Sequence, residues 1–201
     1  DEVPHYRPIV GSAISNDGQW AAVVSPRFDP STGERLSELF LCDLEHGSER
    51  VQVLLPNGAE GYSPVFSPDS GTLAFICRSG REETIGTIDL SMSTFKTVWV
   101  EETPPLPSAL KWAGDDLACL GNDAEGWRRV WRFKETGGSP QALTPGDCHA
   151  GDFAFQSDGG HLVWLRIPTR DQAHSDEVRL EWLDKDTGLS SPIDLPGSPV
   201  G

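Results

Sequence analysis

Phe66-Ser67-Pro68-Asp69-Ser70-Gly71, followed by the apolar run Leu73-Ala74-Phe75-Ile76, is one copy of a phrase that this chain contains four times. In each copy an apolar residue leads into a short turn centred on aspartate, and an apolar strand follows. The other copies are Ile14-Ser15-Asn16-Asp17-Gly18, Trp112-Ala113-Gly114-Asp115 and Phe155-Gln156-Ser157-Asp158-Gly159-Gly160. The successive turn aspartates are 52, 46 and 43 residues apart. A period of this length is typical of propeller blades with four strands.

The segments between the aspartate turns also repeat. Each turn is followed by an apolar strand, a polar loop, another strand, a tight turn and a final short strand. β-Branched and aromatic residues fill these short runs, and no segment has a sustained 3.6-residue apolar period. We therefore predict an all-β chain, a single β-propeller segment with four blades of four antiparallel strands, at about residues 8–56, 62–103, 107–145 and 151–196.

We interpret the repeated aspartates as turn formers and not as catalytic or metal-binding carboxylates. An aspartate side chain can accept a hydrogen bond from the backbone N–H two residues on, and a following glycine tolerates a positive φ. No D-x-D-x-D-G stretch of a calcium loop occurs. The structural turn residues are Asp17, Asp69, Asp115 and Asp158.

The composition limits the class of protein. The chain has 201 residues, 37% of them apolar, which is enough for a substantial core and predicts one or two domains. Its formal charge of −15 argues against nucleic-acid binding, which needs a basic stripe. The acidic surface is either simply solvated or attracts cationic peptides. No run of 18 apolar residues or signal segment is found, so we expect no membrane association.

The four cysteines favour a reducing environment. Cys42, Cys77, Cys119 and Cys148 lack C-x-x-C spacing, and three of them lie in apolar strand patterns, where cysteine acts as a small hydrophobe. Free, buried thiols are therefore expected. Three disulfide pairings remain formally open and none is favoured. A cytoplasmic location is preferred to the periplasm on this ground.

The repeated unit resembles the blades of TolB-type propellers, whose core phrase is approximately Phe/Trp-Ser-Pro-Asp-Gly, two residues, then Leu-Ala-Phe. Residues 66–75 match it best, with Ser70 where glycine is usual, whereas the third unit lacks two residues between Asp115 and Leu117. The first unit, with Val23-Val24-Ser25-Pro26-Arg27-Phe28-Asp29 and then 38–44, is similar to the opening blade of acylaminoacyl-peptidase and dipeptidyl-peptidase-like members of the prolyl oligopeptidase family. In that family the propeller caps a separate α/β-hydrolase domain.

The sequence offers no local catalytic motif. An α/β-hydrolase needs G-x-S-x-G at a strained elbow, and the nearest stretch, Gly61-Tyr62-Ser63-Pro64-Val65, lacks the second glycine. Walker A, G-x-G-x-x-G and H-E-x-x-H motifs are absent as well. The histidines at 5, 46, 149, 161 and 174 have no metal-ligand spacing. We expect a non-catalytic segment without cofactor or metal.

Binding residues are expected on one face of the blades. Loops between the second and third strands, and connections between blades, emerge on what we call the loop face; the aspartate turns and the third-to-fourth-strand turns form the turn face. Loops on a rigid scaffold commonly carry binding residues. Arginine and tryptophan are suited to bind a peptide terminus or a partner domain. The alternative is that these loops are simply solvated and carry ordinary charged residues. The candidates are Arg27, Arg35, Arg81, Glu82, Glu83, Trp127, Arg128, Arg170 and His174, with Asp29, Arg78, Asp123, Glu125, Arg166 and Asp171 beside them.

The resemblance also implies a role for paired glutamates. Dipeptidyl-peptidase-like enzymes bind a substrate's free amino group with such a pair. This chain contains Glu82-Glu83 and Glu101-Glu102, but neither pair has the family's surrounding sequence.

Four blades are fewer than the six to eight with which most repeat families of this kind close. We therefore expect part of a larger propeller, with a closed four-bladed ring as the alternative. Ser198-Pro199-Val200 echoes Ser63-Pro64-Val65 near the start of the second unit. Open blade edges also predict association into a homo-oligomer.

The resemblance implies a non-catalytic propeller segment of a prolyl-oligopeptidase-like serine peptidase, which gates and positions peptide substrates for a hydrolase domain outside this chain. The alternative is a TolB-like interaction module that binds another protein in the bacterial envelope. A sugar- or lactone-directed propeller enzyme is disfavoured, because no clustered set of His, Glu and Asp is present.

Overall fold

The computed structural model describes residues 8–30, 32–45, 50–53, 55, 59–91, 94–98, 107–134, 139–156, 159–168, 178–184 and 187–193. These residues form sixteen β-strands, arranged as four antiparallel sheets of four strands in chain order. Within these ranges, no helix has the length and hydropathy that a membrane crossing requires. The predictions of an all-β chain and of four four-stranded sheets are confirmed.

The chain divides into two compact units, Asp1–Thr103 and Pro104–Gly201, with two sheets in each. The first unit contains β1 (Gly11–Ile14), β2 (Trp20–Phe28), β3 (Arg35–Asp43), β4 (Arg50–Gln52), β5 (Glu60–Phe66), β6 (Thr72–Ser79), β7 (Glu82–Asp89) and β8 (Thr94–Val98). The second contains β9 (Ser108–Ala113), β10 (Asp116–Asn122), β11 (Arg128–Phe133), β12 (Gln141–Ala142), β13 (His149–Phe155), β14 (His161–Ile167), β15 (Arg179–Asp184) and β16 (Ser190–Pro192).

The core of the first unit forms between its two sheets. Because side chains alternate along a strand, Leu73, Phe75 and Cys77 of β6 share one face, and all three are buried. They pack in one cluster with Val24 and Leu39 of the first sheet. Burial of this apolar surface, at about 25 cal/mol per Å², holds the two sheets face to face.

The core of the second unit centres on Trp164. This side chain has no solvent exposure and packs in a cluster with Phe153 and Leu162 of its own sheet and with Leu120 and Val130 of the neighbouring sheet. Trp164 follows its turn aspartate by six residues, as Phe75 does in the first unit. Among the atoms that the structure describes, its indole Nε1 has no hydrogen-bond partner.

All four cysteines, Cys42, Cys77, Cys119 and Cys148, are buried free thiols, as expected. Burial raises the pKa of Cys119 to about 12 and that of Cys148 to about 11. Both thiols therefore stay protonated at neutral pH, and neither is an activated nucleophile.

The aspartate turns of the first unit are closed by a serine two residues before each aspartate. Asp69 Oδ1 accepts the Gly71 N–H (3.0 Å) and the hydroxyl of Ser67 (2.5 Å), while Ser67 Oγ accepts the Thr72 N–H (2.9 Å). Asp17 Oδ1 accepts the hydroxyl of Ser15 in the same way, at 2.5 Å. The pKa of each aspartate is lowered mainly by the hydrogen bond from the serine hydroxyl. The next largest contribution is the backbone N–H two residues on, which is Gln19 for Asp17 and Gly71 for Asp69.

Replacing Ser67 with alanine is expected to lower the free energy of unfolding by about 1–3 kcal/mol at neutral pH, because the partly buried N–H of Thr72 loses its acceptor and the Asp69 carboxylate loses a hydroxyl donor. The lowered pKa of Asp69 adds stability that is complete above its unfolded value of 3.8 and disappears as the pH falls through the folded value. The difference in the free energy of unfolding between Ser67→Ala and the parent protein should therefore shrink below about pH 4.

Urea denaturation at neutral and acidic pH measures this difference. Ser12→Ala is the control, since Ser12 is exposed on β1, and it should change the unfolding free energy by less than about 0.5 kcal/mol. A Ser67→Ala curve that matches the Ser12→Ala curve at neutral pH would contradict the role given to this hydroxyl.

A second aspartate also recurs on the turn face, and the sequence analysis missed it. Asp43, Asp89 and Asp184 each end the third strand of a sheet. Their Oδ1 atoms accept backbone N–H groups of Glu45 (3.0 Å), Ser91 (2.9 Å) and Thr187 (2.9 Å). The signal was present in the sequence, because each of the three follows an apolar residue at the end of a strand pattern.

Candidate functional site

The loop face of the first unit contains a charged cleft of about 450 Å³, a volume in the range of ligand sites. Its walls come from the start of β3, the start of β5 and the end of β6 with its following turn. All these segments reach the loop face because they lie at the ends of strands opposite to the aspartate turns. The lining residues are Glu34, Arg35, Leu36, Glu60, Arg78, Ser79 and Gly80.

Tight hairpins hold the walls of this cleft. The β6–β7 turn has only two residues, because Ser79 pairs with Glu82, and Gly80 takes a φ of 62° there. A positive φ at this position suits a tight hairpin with a glycine. On the other side the β2–β3 hairpin is closed by the Asp29 N–H, which donates to the Glu34 carbonyl at 2.9 Å.

The guanidinium of Arg78 is held in a fixed orientation. Its Nε and Nη2 donate to Glu83 Oε1 at 2.8 and 2.5 Å, and its carbon lies 4.9 Å from the centroid of the Tyr62 ring. The Tyr62 hydroxyl donates to the same carboxylate oxygen at 2.5 Å. The side chain of Glu83 is only 11% exposed, whereas that of Arg78 is 45% exposed. Arg78 is therefore held by Glu83 and Tyr62 while nearly half of its side chain remains exposed.

A β-bulge places Tyr62 in this network. The register of β5 against β6 shifts between Tyr62 and Val65, and Ser63 takes a φ of 52° within the shift. Bulges of this kind change the direction of a side chain and are common beside functional sites. Burial first, and then the Glu83 carboxylate, raises the pKa of Tyr62, so its hydroxyl remains a donor.

The other charged groups of the cleft differ in how firmly they are held. Glu60 Oε2 accepts the Ser37 N–H at 2.6 Å, which ties the second sheet to the first. Glu34 and Arg35 are exposed at the rim. Outside the cleft, Arg27 pairs with Glu38 (Nε to Oε1, 3.4 Å).

The loop face of the second unit carries a separate cluster around Trp127. Asp123 Oδ1 accepts the N–H of Trp127 at 2.8 Å and shapes the β10–β11 loop. The Trp127 ring lies 5.1 Å from that of His149, whose Nδ1 accepts the Arg128 N–H at 3.1 Å. Arg128 Nη2 donates to the hydroxyl of Ser108 at 2.6 Å. Trp127 and Arg128 are thus held by contacts with His149 and Ser108 of the neighbouring strands.

Arg166 of the second unit has a structural role. Its two terminal nitrogens lie 3.2 Å from Asp147 Oδ2 and 3.2 Å from Glu181 Oε1. Glu181 also accepts the hydroxyl of Ser190 at 2.7 Å. The charge of Arg166 is therefore shared between two carboxylates of its own unit.

The structure distributes the predicted site residues over several places. Arg35 and Arg78 line the cleft, Glu83 lies behind Arg78, and Arg81 and Glu82 lie in the adjoining hairpin without lining it. Asp115 lies in the short turn between β9 and β10, where the neighbouring Asp116 accepts from Arg132 Nε at 2.7 Å. The predicted residues outside the described part of the chain are Asp158, Arg170, Asp171, His174, Glu101 and Glu102.

Sequence reasoning missed Glu60 and Tyr62. Both lie just before the Phe66-Ser67-Pro68-Asp69 phrase, so a search of the residues that begin each blade would have found them. Among the described residues, no group of three His, Cys, Asp or Glu side chains is arranged to hold a metal ion.

Three solved structures illustrate the fold of this chain. TolB from Acinetobacter baumannii is 22% identical over 96% of this chain and 46% of its own, with a TM-score of 0.66. A puromycin-hydrolyzing peptidase of Mycobacterium tuberculosis is 20% identical over 97% of this chain and 32% of its own, with a TM-score of 0.68. The β-propeller domain of the Trilobed protease from Pyrococcus furiosus is 13% identical over 95% of this chain and 58% of its own, with a TM-score of 0.64.

These likenesses establish the fold. The four sheets are β-propeller blades, and the expected resemblance to TolB-type and prolyl-oligopeptidase-type propellers is confirmed at the level of fold. The chain spans about half of the TolB structure and about a third of the peptidase. No protein-family model matches the chain, and no curated protein matches it.

Proposed function

We propose that this chain is a non-catalytic propeller segment of a prolyl-oligopeptidase-like serine peptidase, in which it gates and positions peptides for a hydrolase domain outside the chain. The cleft between the first two blades is the observation that carries the proposal. It lies on the loop face, has fixed walls and offers both positive and negative side chains to a polar ligand. Loops on a rigid propeller are suited to hold a peptide.

Two further observations support the proposal. The fold neighbours include prolyl endopeptidases and a dipeptidyl peptidase 4, which the chain matches over 94% and 92% of its length. The sequence contains no G-x-S-x-G stretch, and Ser63, whose surroundings come near to that pattern, lies in a β-bulge of β5 and not between a strand and a helix. A peptidase built on this segment would take its nucleophile from another domain.

Labelling of the whole parent protein with a fluorophosphonate, which reacts with activated serines, tests this function. We expect one labelled serine in a G-x-S-x-G stretch that follows further blades. We also expect hydrolysis of short peptides to be lost when that serine is replaced. A parent protein without a labelled serine or an α/β-hydrolase domain would contradict the proposal.

A TolB-like interaction module is the second candidate. It is favoured by the likeness to the TolB structure, which covers 96% of this chain. In that case the parent protein would carry a signal segment and further blades, and it would be captured with a protein partner of the cell envelope. The fluorophosphonate experiment separates the two candidates, because an interaction module of the TolB type would have no activated serine to label.

A further inference from the structure

We propose that the cleft of the first unit binds a peptide carboxylate, with Arg78 as its anchor and Arg35 as a second cation at the rim. The proposed function contributes only one premise, that the ligand is a peptide. Three features of the cleft favour a carboxylate site: the fixed guanidinium of Arg78, the exposure of Arg35 and the carboxylates that share the cleft.

Arg78 is already oriented before a ligand arrives. Its Nε and Nη2 edge is bonded to Glu83 Oε1, and its flat face lies against the ring of Tyr62. The Nη1 edge is not used in these contacts, and the side chain lines the cleft. A guanidinium presents its donors in one plane, which matches the two oxygens of a carboxylate. Because its rotamer is already fixed, Arg78 loses little conformational entropy on binding.

The glutamates of the cleft favour a peptide over a bare anion. Glu34 and Glu60 line the same space as the two arginines, so their charges oppose a small anion such as acetate. A peptide can place its carboxylate on Arg78 and Arg35 and offer its backbone N–H groups to Glu34 and Glu60. Leu36 adds an apolar side chain to the lining of the cleft. This combination of donors and acceptors suits a short polar chain with a negative group at one position.

Calorimetric titration of the 201-residue chain with N-acetylated tetra-alanine tests the inference. Acetylation removes the amino charge, so the carboxylate is the peptide's one ionised group. We expect the free acid to bind about 10- to 100-fold more tightly than its C-terminal amide, which is the range for a hydrogen bond to a charged group. A second amide peptide with aspartate at its third position shows whether an acidic side chain can replace the terminal carboxylate.

Arginine variants locate the site. Arg78→Gln should weaken binding of the free acid by about 10- to 100-fold, and Arg78→Lys, which keeps the charge but loses the planar fork, should restore part of it. Arg81→Gln is the matched control: it removes the same charge from the adjoining hairpin, but Arg81 does not line the cleft. Its affinity should equal that of the parent chain. If Arg78→Gln unfolds, the exposed Arg35→Gln serves in its place, with an expected loss of about 3- to 10-fold.

Three outcomes would overturn the inference. Equal affinity for acid and amide would exclude the carboxylate while leaving peptide handling intact. Acetate binding as tightly as the peptide acid would show a simple anion site. Absence of binding to either peptide would exclude a carboxylate site in this chain. The proposed function would then be tested by the fluorophosphonate experiment alone.

Discussion

Replacing Trp164 with alanine should lower the free energy of unfolding by about 3–5 kcal/mol, the range for a buried aromatic residue cut to a methyl group. Trp164 has no solvent exposure and lies where the two sheets of the second unit share one core cluster. Its removal leaves a cavity lined by side chains of both sheets, and neither sheet can move in to fill it without disturbing its own hydrogen bonds. Urea denaturation followed by circular dichroism measures the loss.

Trp164→Phe is the informative partner variant. It keeps most of the ring and removes the buried Nε1–H, which has no partner among the described atoms. An unpaired buried donor costs free energy, so its removal offsets part of the lost volume, and we expect a net change below about 1.5 kcal/mol. Leu189→Ala, at a position that is 67% exposed, serves as the surface control. A Phe variant as unstable as the Ala variant would contradict this account of the core.

Gly159→Ala is expected to destabilise the protein by about 2–5 kcal/mol. Gly159 has a φ of 71°, which an L-residue adopts only with strain, and a Cβ there would lie 2.6 Å from the backbone carbonyl carbon of Ala113 and 2.7 Å from Gly114 N. Backbone atoms cannot move aside as a flexible side chain can. The aspartate turn of the fourth sheet therefore rests directly on that of the third.

Gly18→Ala isolates the effect of the dihedral angle alone. Gly18 occupies the equivalent position in the first sheet with a φ of 72°, but no atom outside Gly18 and its two chain neighbours lies within 4 Å of a Cβ built there. Its replacement should cost about 1–2 kcal/mol. The difference between the two variants, measured by thermal or urea unfolding, reports the contact between the turns. Equal losses would show that the turns of the third and fourth sheets do not constrain each other.

Ser70 shows how the same position can be used differently. It follows the turn aspartate of the second sheet, where the first and fourth copies of the phrase have glycine, and it takes a φ of 65°. Its hydroxyl accepts the Asp17 N–H at 3.1 Å, and the Asn16 side chain donates to the Pro68 carbonyl at 3.0 Å. These bonds join successive turns of the first unit. The repeat phrase predicted each turn, but it gave no sign that one turn supports the next.

The candidate site was predictable only in part. Arg35, Arg78 and Glu83 were expected on the loop face, because each lies where the second strand of a blade ends or the third begins. Nothing in the sequence indicated that Glu83 would fix Arg78, since this depends on the two-residue hairpin that pairs Arg78 with Glu83 across β6 and β7. The position of Tyr62 was hidden as well, because a bulge shifts the register of β5 by an amount that spacing does not reveal.

The strands, the turns and their number follow from local patterns, because alternating apolar residues and aspartate turns are short-range features that each segment carries for itself. Which charges share a cleft depends on contacts between sheets. Arg35 and Glu60 lie 25 residues apart in the chain and line one cleft. They meet because the buried faces of the two sheets pack together, and this packing also brings the loop-face ends of their strands close to one another.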